Sequence, residues 1–141
     1  MKRILRFLVY GIAIAFVVIQ FLPVRRDNPP VQSEIDAPPA VMAVLRESCY
    51  DCHSNESKWP WYSRVAPISW LVAEDVRKGR GKLNFSTWNL YRADVAAHKI
   101  EEIWEEVEEG EMPLPIYMPT HPEARLTEED RKILSDWAQA R

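Results

Sequence analysis

CYDCH, residues 49–53, decides how this chain is read: Cys49 and Cys52 are the only cysteines among 141 residues, and His53 follows them directly. A C-x-x-C-H element is the attachment signature of a c-type haem. Two thiols three residues apart can each add across one vinyl group of a porphyrin edge, while the adjacent imidazole reaches the iron from the proximal face. Two other uses of paired cysteines compete. Zinc would take Cys49 and Cys52 as half a tetrahedron and His98 or His121 as its completion, but structural zinc sites usually hold the second ligand pair in a knuckle of its own, and the sequence has none. A thioredoxin-like C-x-x-C needs an alternating strand and helix pattern, which is also missing.

The N-terminus carries the second signal. From Ile4 to Val24 the only strongly polar residues are Arg6 and Gln20. With its arginines snorkelling, the stretch approaches the roughly 20 residues that cross a bilayer as a helix. Lys2, Arg3 and Arg6 favour a cytoplasmic N-terminus. The expectation is an uncleaved single-pass anchor in the inner membrane over residues 1–26, with the remainder on the periplasmic side. A cleaved signal peptide is the alternative, although Phe21 to Val24 offers no A-x-A pattern.

The chain has 18 basic and 21 acidic residues, a net charge of −3. All the acids but only 13 of the basic residues lie beyond Arg26, so residues 27–141 carry −8. That balance argues against a nucleic-acid partner. Residues 27–39, DNPPVQSEIDAPP, hold four prolines and no helical stripe, which reads as an extended linker. Residues 40–141 then form one domain, expected to be all-α. Val41, Val44, Leu45 and Ser48 share a helical face leading into the motif. A second helix is expected over 69–78 with Gly79 as its stop, and a third from Ser86 that buries Ile100, Ile103, Trp104 and Val107 and ends at Gly110. Thr127 caps a last helix whose first turn is acidic.

The candidates for a second iron ligand are Met112, Met118 and His121. Met112 is preferred, since GEMPLP places it in a proline-stiffened loop between two helices. Filling a core gap is the ordinary use of such a methionine. His98 reads as a solvated histidine, and Met42 precedes the motif too closely to reach the distal face. Arg80, in the basic cluster Arg77, Lys78, Arg80 and Lys82, is the candidate partner for haem propionates through a bidentate guanidinium. The tryptophans around the motif suit either a porphyrin edge or an ordinary core. The acidic run from Glu101 to Glu111 reads mostly as the exposed face of its helix.

The ordered elements CxxCHSN, WPWYS, APxSW, LNFS and MP, spread from about residue 38 to residue 139, resemble the bacterial family described as a haem-binding domain, related to the class I cytochrome c fold. That resemblance implies a single covalent haem c, with its iron, held by Cys49, Cys52 and His53, and gives Met112 the distal place. A second Met-Pro at Met118, in an unusually long segment before the last helix, keeps Met118 open as ligand. The expected function is a membrane-anchored monohaem cytochrome passing single electrons to a redox partner protein, and not an enzyme. A haem-based sensor or a small peroxidase-like enzyme is the alternative, since both need an open distal position.

Overall fold

The computed structural model describes residues 1–140. The described residues form six α-helices: α1 (Lys2–Ile19), α2 (Pro39–Ser48), α3 (Tyr50–His53), α4 (Ile68–Lys82), α5 (Ala93–Glu108) and α6 (Glu128–Gln139). Single 3-10 turns at Trp61–Arg64, Trp88–Leu90 and Pro122–Ala124 connect them. The all-α expectation holds. The one β-type pairing among the described residues is an isolated bridge between Ser33 and Thr87.

Helix α2 starts on prolines, whose fixed φ suits a first turn, and buries Val41, Val44 and Leu45 at i, i+3 and i+4. It packs against α6 and leads straight into α3, while α5 also packs on α6. The shared core joins Leu45, Ile100, Val107, Leu134 and Trp137 to Tyr50 and Phe85. Tyr50 and Phe85 stack with ring centroids 5.1 Å apart, which couples the motif helix to the segment after α4. Gly110, at φ +78°, closes α5 in the left-handed conformation that costs glycine least. Thr127 caps α6 in a reciprocal box with Asp130.

Three expectations are corrected here. The first is the N-terminal transmembrane helix, and with it the single-pass inner-membrane placement that put the domain on the periplasmic side. Among the described residues no helix is long and apolar enough to cross a membrane. Helix α1 stops at Ile19, and three of its 18 residues are basic. The next residue, Gln20, turns to the domain and clamps the backbone of Ala66, accepting from its N–H at 2.9 Å and donating to its carbonyl at 3.2 Å.

The second correction concerns Gly79, which does not end α4. The helix runs on to Lys82, with Leu83 N–H donating to the Gly79 carbonyl at 2.9 Å. Glycine is needed for close approach: a Cβ there would sit 2.6 Å from the Cys52 carbonyl oxygen. The third is the start of α5, which is Ala93 and not Ser86. Residues 84–86 are bonded across the chain instead. Phe85 N–H donates to the His53 carbonyl at 2.8 Å, Asn84 donates to the Asn55 amide oxygen at 2.9 Å, and Ser86 Oγ accepts from Asn55 N–H at 2.9 Å.

The proline-rich segment is extended, yet it lies along the domain. Ile35 is buried in the core, and the Pro30 carbonyl accepts from the Asn55 amide at 3.1 Å.

Two glycines of α4 give opposite expected outcomes in urea unfolding. Gly79→Ala must push the motif backbone aside and lowers stability by about 1–3 kcal/mol. Gly81→Ala meets no atom within 4 Å and raises stability by about 0.5–1 kcal/mol through helix propensity.

Candidate functional site

The site is built on α3, a single turn between α2 and the Ser54–Asn55 corner. His53 is fixed by its Nδ1–H, which lies 3.1 Å from the Gly79 carbonyl and 3.2 Å from the Leu83 carbonyl. Both acceptors sit at the end of α4, where the Gly79 carbonyl also takes Leu83 N–H at 2.9 Å and Leu83 is the C-cap. Carbonyl acceptance at Nδ1 selects the tautomer with a lone pair on Nε2, the arrangement in which a histidine ligates metal. Burial lowers the pKa of His53, and the two carbonyls pull the other way, so the ring is neutral near pH 7.

Burial pushes the Cys49 thiol up to about 12, with the neighbouring Cys52 adding to it. Cys52 is raised to about 11, by burial first and then by the Asp51 and Asp75 carboxylates. Both are free thiols held against ionisation. Among the described residues no three His, Cys, Asp or Glu side chains converge on a metal-sized point, and His98 and His121 are not drawn to the motif. The zinc reading therefore finds no support.

A cavity of about 280 Å³ lies at the motif, with Cys49, His53, Met112 and Pro113 all in its lining. The Met112 backbone is set by α5: Glu111 N–H and Met112 N–H both donate to the Glu106 carbonyl at 3.0 Å. The rest of the lining is Leu83, Phe85, Ile103 and Val107, together with Lys82, Lys99, Glu102 and Glu106. Lys99, Glu102, Ile103, Glu106 and Val107 follow the i, i+3, i+4, i+7, i+8 spacing of one helix face. Sequence reasoning assigned the acids to solvent and passed over Lys99. Their shared spacing with Ile103 and Val107 was the available signal.

Of the five candidate residues, the structure brings Cys49, His53 and Met112 to this cavity and leaves Cys52 and Arg80 outside its lining. Cys52 lines a second cavity on the other side of α3. The Arg80 guanidinium is spent elsewhere: it donates to the Ser54 carbonyl at 2.7 Å, and to the Asp27 carbonyl, Asn28 Oδ1 and Ser57 Oγ at 2.9 Å each. That network ties α4, the residues after the motif and the proline-rich segment together. The lysines that face the first cavity are Lys82 and Lys99.

Met118 lines neither cavity. His121 is stacked on Tyr117 at 3.8 Å and lies 3.3 Å from the Tyr62 hydroxyl. His98 is exposed beside Glu101 and Glu102.

An oriented imidazole, a cysteine and a methionine lining one cavity of a helical fold make a site suited to a prosthetic group. The chain belongs to the haem-binding domain family, whose model matches residues 14–140, and it is a haem-binding protein. Among curated proteins and among solved structures, none matches it.

If Arg80 serves the fold, Arg80→Met lowers the unfolding free energy by about 2–4 kcal/mol, since it strands several carbonyls and amides. The reduction potential of the folded protein then stays unchanged. Arg77→Met, which removes only an exposed pair with Glu74, stays within about 0.5 kcal/mol.

Proposed function

We propose that this chain is a monohaem c-type cytochrome carrying single electrons to and from a protein redox partner. The observation that carries the reading is that His53 and Met112 line one cavity, with the imidazole already fixed by two carbonyls. Cys49 and Cys52 are the only thiols available for covalent attachment, and each S–H adds across one vinyl group. His53 Nε2 and the Met112 thioether are the two protein ligands in this reading. Lys82 and Lys99 line the cavity where Arg80 does not, and in this reading they meet the propionates, Lys99 by exchanging its ion pair with Glu102.

When bound, the haem supplies a one-electron iron couple whose potential depends on axial ligands, hydrogen bonding and burial. The chain's own contribution is to hold both ligands still. Two carbonyls orient His53, and the bonds from Glu111 and Met112 to the end of α5 set the methionine loop. Electron transfer is served by ligands that stay in place in both oxidation states.

A sensor or peroxidase would need an open distal face, and a peroxidase would also need an acid–base group beside it. Neither remaining imidazole lines the first cavity: His121 sits with Tyr62 and Tyr117, and His98 lies on the exposed side of α5. This geometry favours the carrier over the catalyst.

The experiment is carbon monoxide binding by the ferrous protein. The wild type should bind poorly, Met112→Ala should bind readily and lose the weak sulfur-to-iron absorption of the ferric form, and Met118→Ala should behave as wild type. Ready binding by the wild type moves the sensor reading ahead. Loss of the sulfur band in Met118→Ala alone would transfer the ligand role to that residue.

A further inference from the structure

The second cavity belongs to the same site as the first, because Cys52, one of the two attachment thiols of the proposed function, is part of its lining. In that reading one thioether bond, and with it one porphyrin edge, reaches this side of α3. Electron transfer weakens steeply with distance, so a partner must come close to such an edge. The two cavities offer it different surfaces.

At the first cavity the charged groups are already engaged. Lys99 pairs with Glu102 at 2.9 Å, and both lysines of the lining go to the propionates once haem is bound. The second cavity has an apolar lip instead. Trp61 is 76% exposed and Ile116 is 65% exposed, and Ile68 and Leu71 of the same lining also stand in water. Apolar side chains gathered at one opening mark a contact surface, and tryptophan is a frequent anchor of such contacts. Encounters between electron-transfer proteins are small, under about 1,200 Å², so a few such side chains suffice as their centre.

The charges around the lip set the sign of the partner. Lys58 lines the cavity and Arg64 shares the 3-10 turn of Trp61; both are exposed, and neither forms an ion pair among the described residues. Arg26 joins them, donating to the Ser63 carbonyl at 2.8 Å. The nearby acids are committed or less exposed. Asp51 accepts from Lys58 N–H at 3.0 Å and from the Tyr117 hydroxyl at 2.8 Å, Glu56 pairs with Arg46, and Asp75 is half-buried. A basic rim on a domain that is acidic overall complements carboxylates beside an apolar face.

On the carrier reading above, we propose that this tryptophan lip is where electrons enter and leave, and that its occupant is a redox protein whose apolar face is edged with carboxylates. One electron passes from ferrous iron to the oxidised partner, and no bond is made or broken.

The test is stopped-flow oxidation of the haem-loaded, ferrous full chain by two trianions that differ in surface. Hexacyanoferrate(III) has no apolar surface, whereas the cobalt(III) tris complex of disulfonated diphenylphenanthroline is aromatic. Each takes one electron, leaving ferric protein and hexacyanoferrate(II) or cobalt(II). Trp61→Ala should slow the aromatic oxidant about tenfold and hexacyanoferrate by less than about twofold. Leu90→Ala, at an exposed position outside both linings, should slow neither. Lys58→Glu with Arg64→Glu should slow both and weaken their acceleration at low salt. If Trp61→Ala leaves the aromatic oxidant at the wild-type rate, or slows both oxidants equally, the proposal is overturned. A wild-type dimer in sedimentation that Trp61→Ala dissociates would make the occupant a second copy and overturn the assignment of partner. Carbon monoxide binding by the same ferrous samples reports separately on the carrier reading: a closed distal face with rates indifferent to Trp61 sinks the lip alone.

Discussion

The approach of α4 to the backbone of Cys52 is the constraint on which the site depends. Gly79 has no side chain to hold the two apart, and the 2.6 Å that a Cβ would leave to the Cys52 carbonyl shows how little space there is. Because α4 comes this close, the carbonyls of Gly79 and Leu83 reach Nδ1 of His53. The ring is thereby oriented and its proton placed, leaving Nε2 as a ligand atom. A side chain at residue 79 would move the acceptors away together with the helix that carries them.

The rest of the fold reinforces that contact from both ends. The Asn84–Phe85–Ser86 segment bonds back to His53 and Asn55, and Phe85 stacks on Tyr50 inside the core. Arg80, one residue past the critical glycine, holds the Ser54 carbonyl and the proline-rich segment in one guanidinium fork. Planar five-donor geometry suits arginine to this task in a way lysine could not match. The motif is therefore held through its backbone, and its thiols and imidazole are left for chemistry.

Signals that act locally were legible in the sequence. The spacing of Val41, Val44 and Leu45, the glycine after α5 and the Thr127 cap each depend on residues within a turn or two, and all appear where local rules put them. What was misread depends on distant partners. Gly79 looks like a helix stop because glycine often is one, yet its reason lies at Cys52. Arg80 looks like an anion receptor because its partners, two backbone carbonyls and two neutral side-chain oxygens, are ones no composition reveals. Glu102 and Glu106 pass for solvent-facing residues within an acidic run, although their spacing with Ile103 turns them to the cavity. The apolar N-terminal stretch suggested a longer helix than forms: past Ile19 the N–H groups of Gln20, Phe21 and Leu22 bond three residues back, and Pro23 then removes the next donor.

The account stands or falls on what the two thiols do. Cys49, the N-cap of α3, and Cys52, on α3 itself, flank a histidine whose Nδ1 is held by carbonyls, so that Nε2 is left as a ligand atom. The most direct measurement is the intact mass of the denatured chain, expressed with haem-attachment machinery, beside that of Cys49→Ala/Cys52→Ala. The account predicts one haem added to the wild-type chain and none to the double variant. A wild-type chain at its bare polypeptide mass, with both thiols free to alkylate, would contradict it.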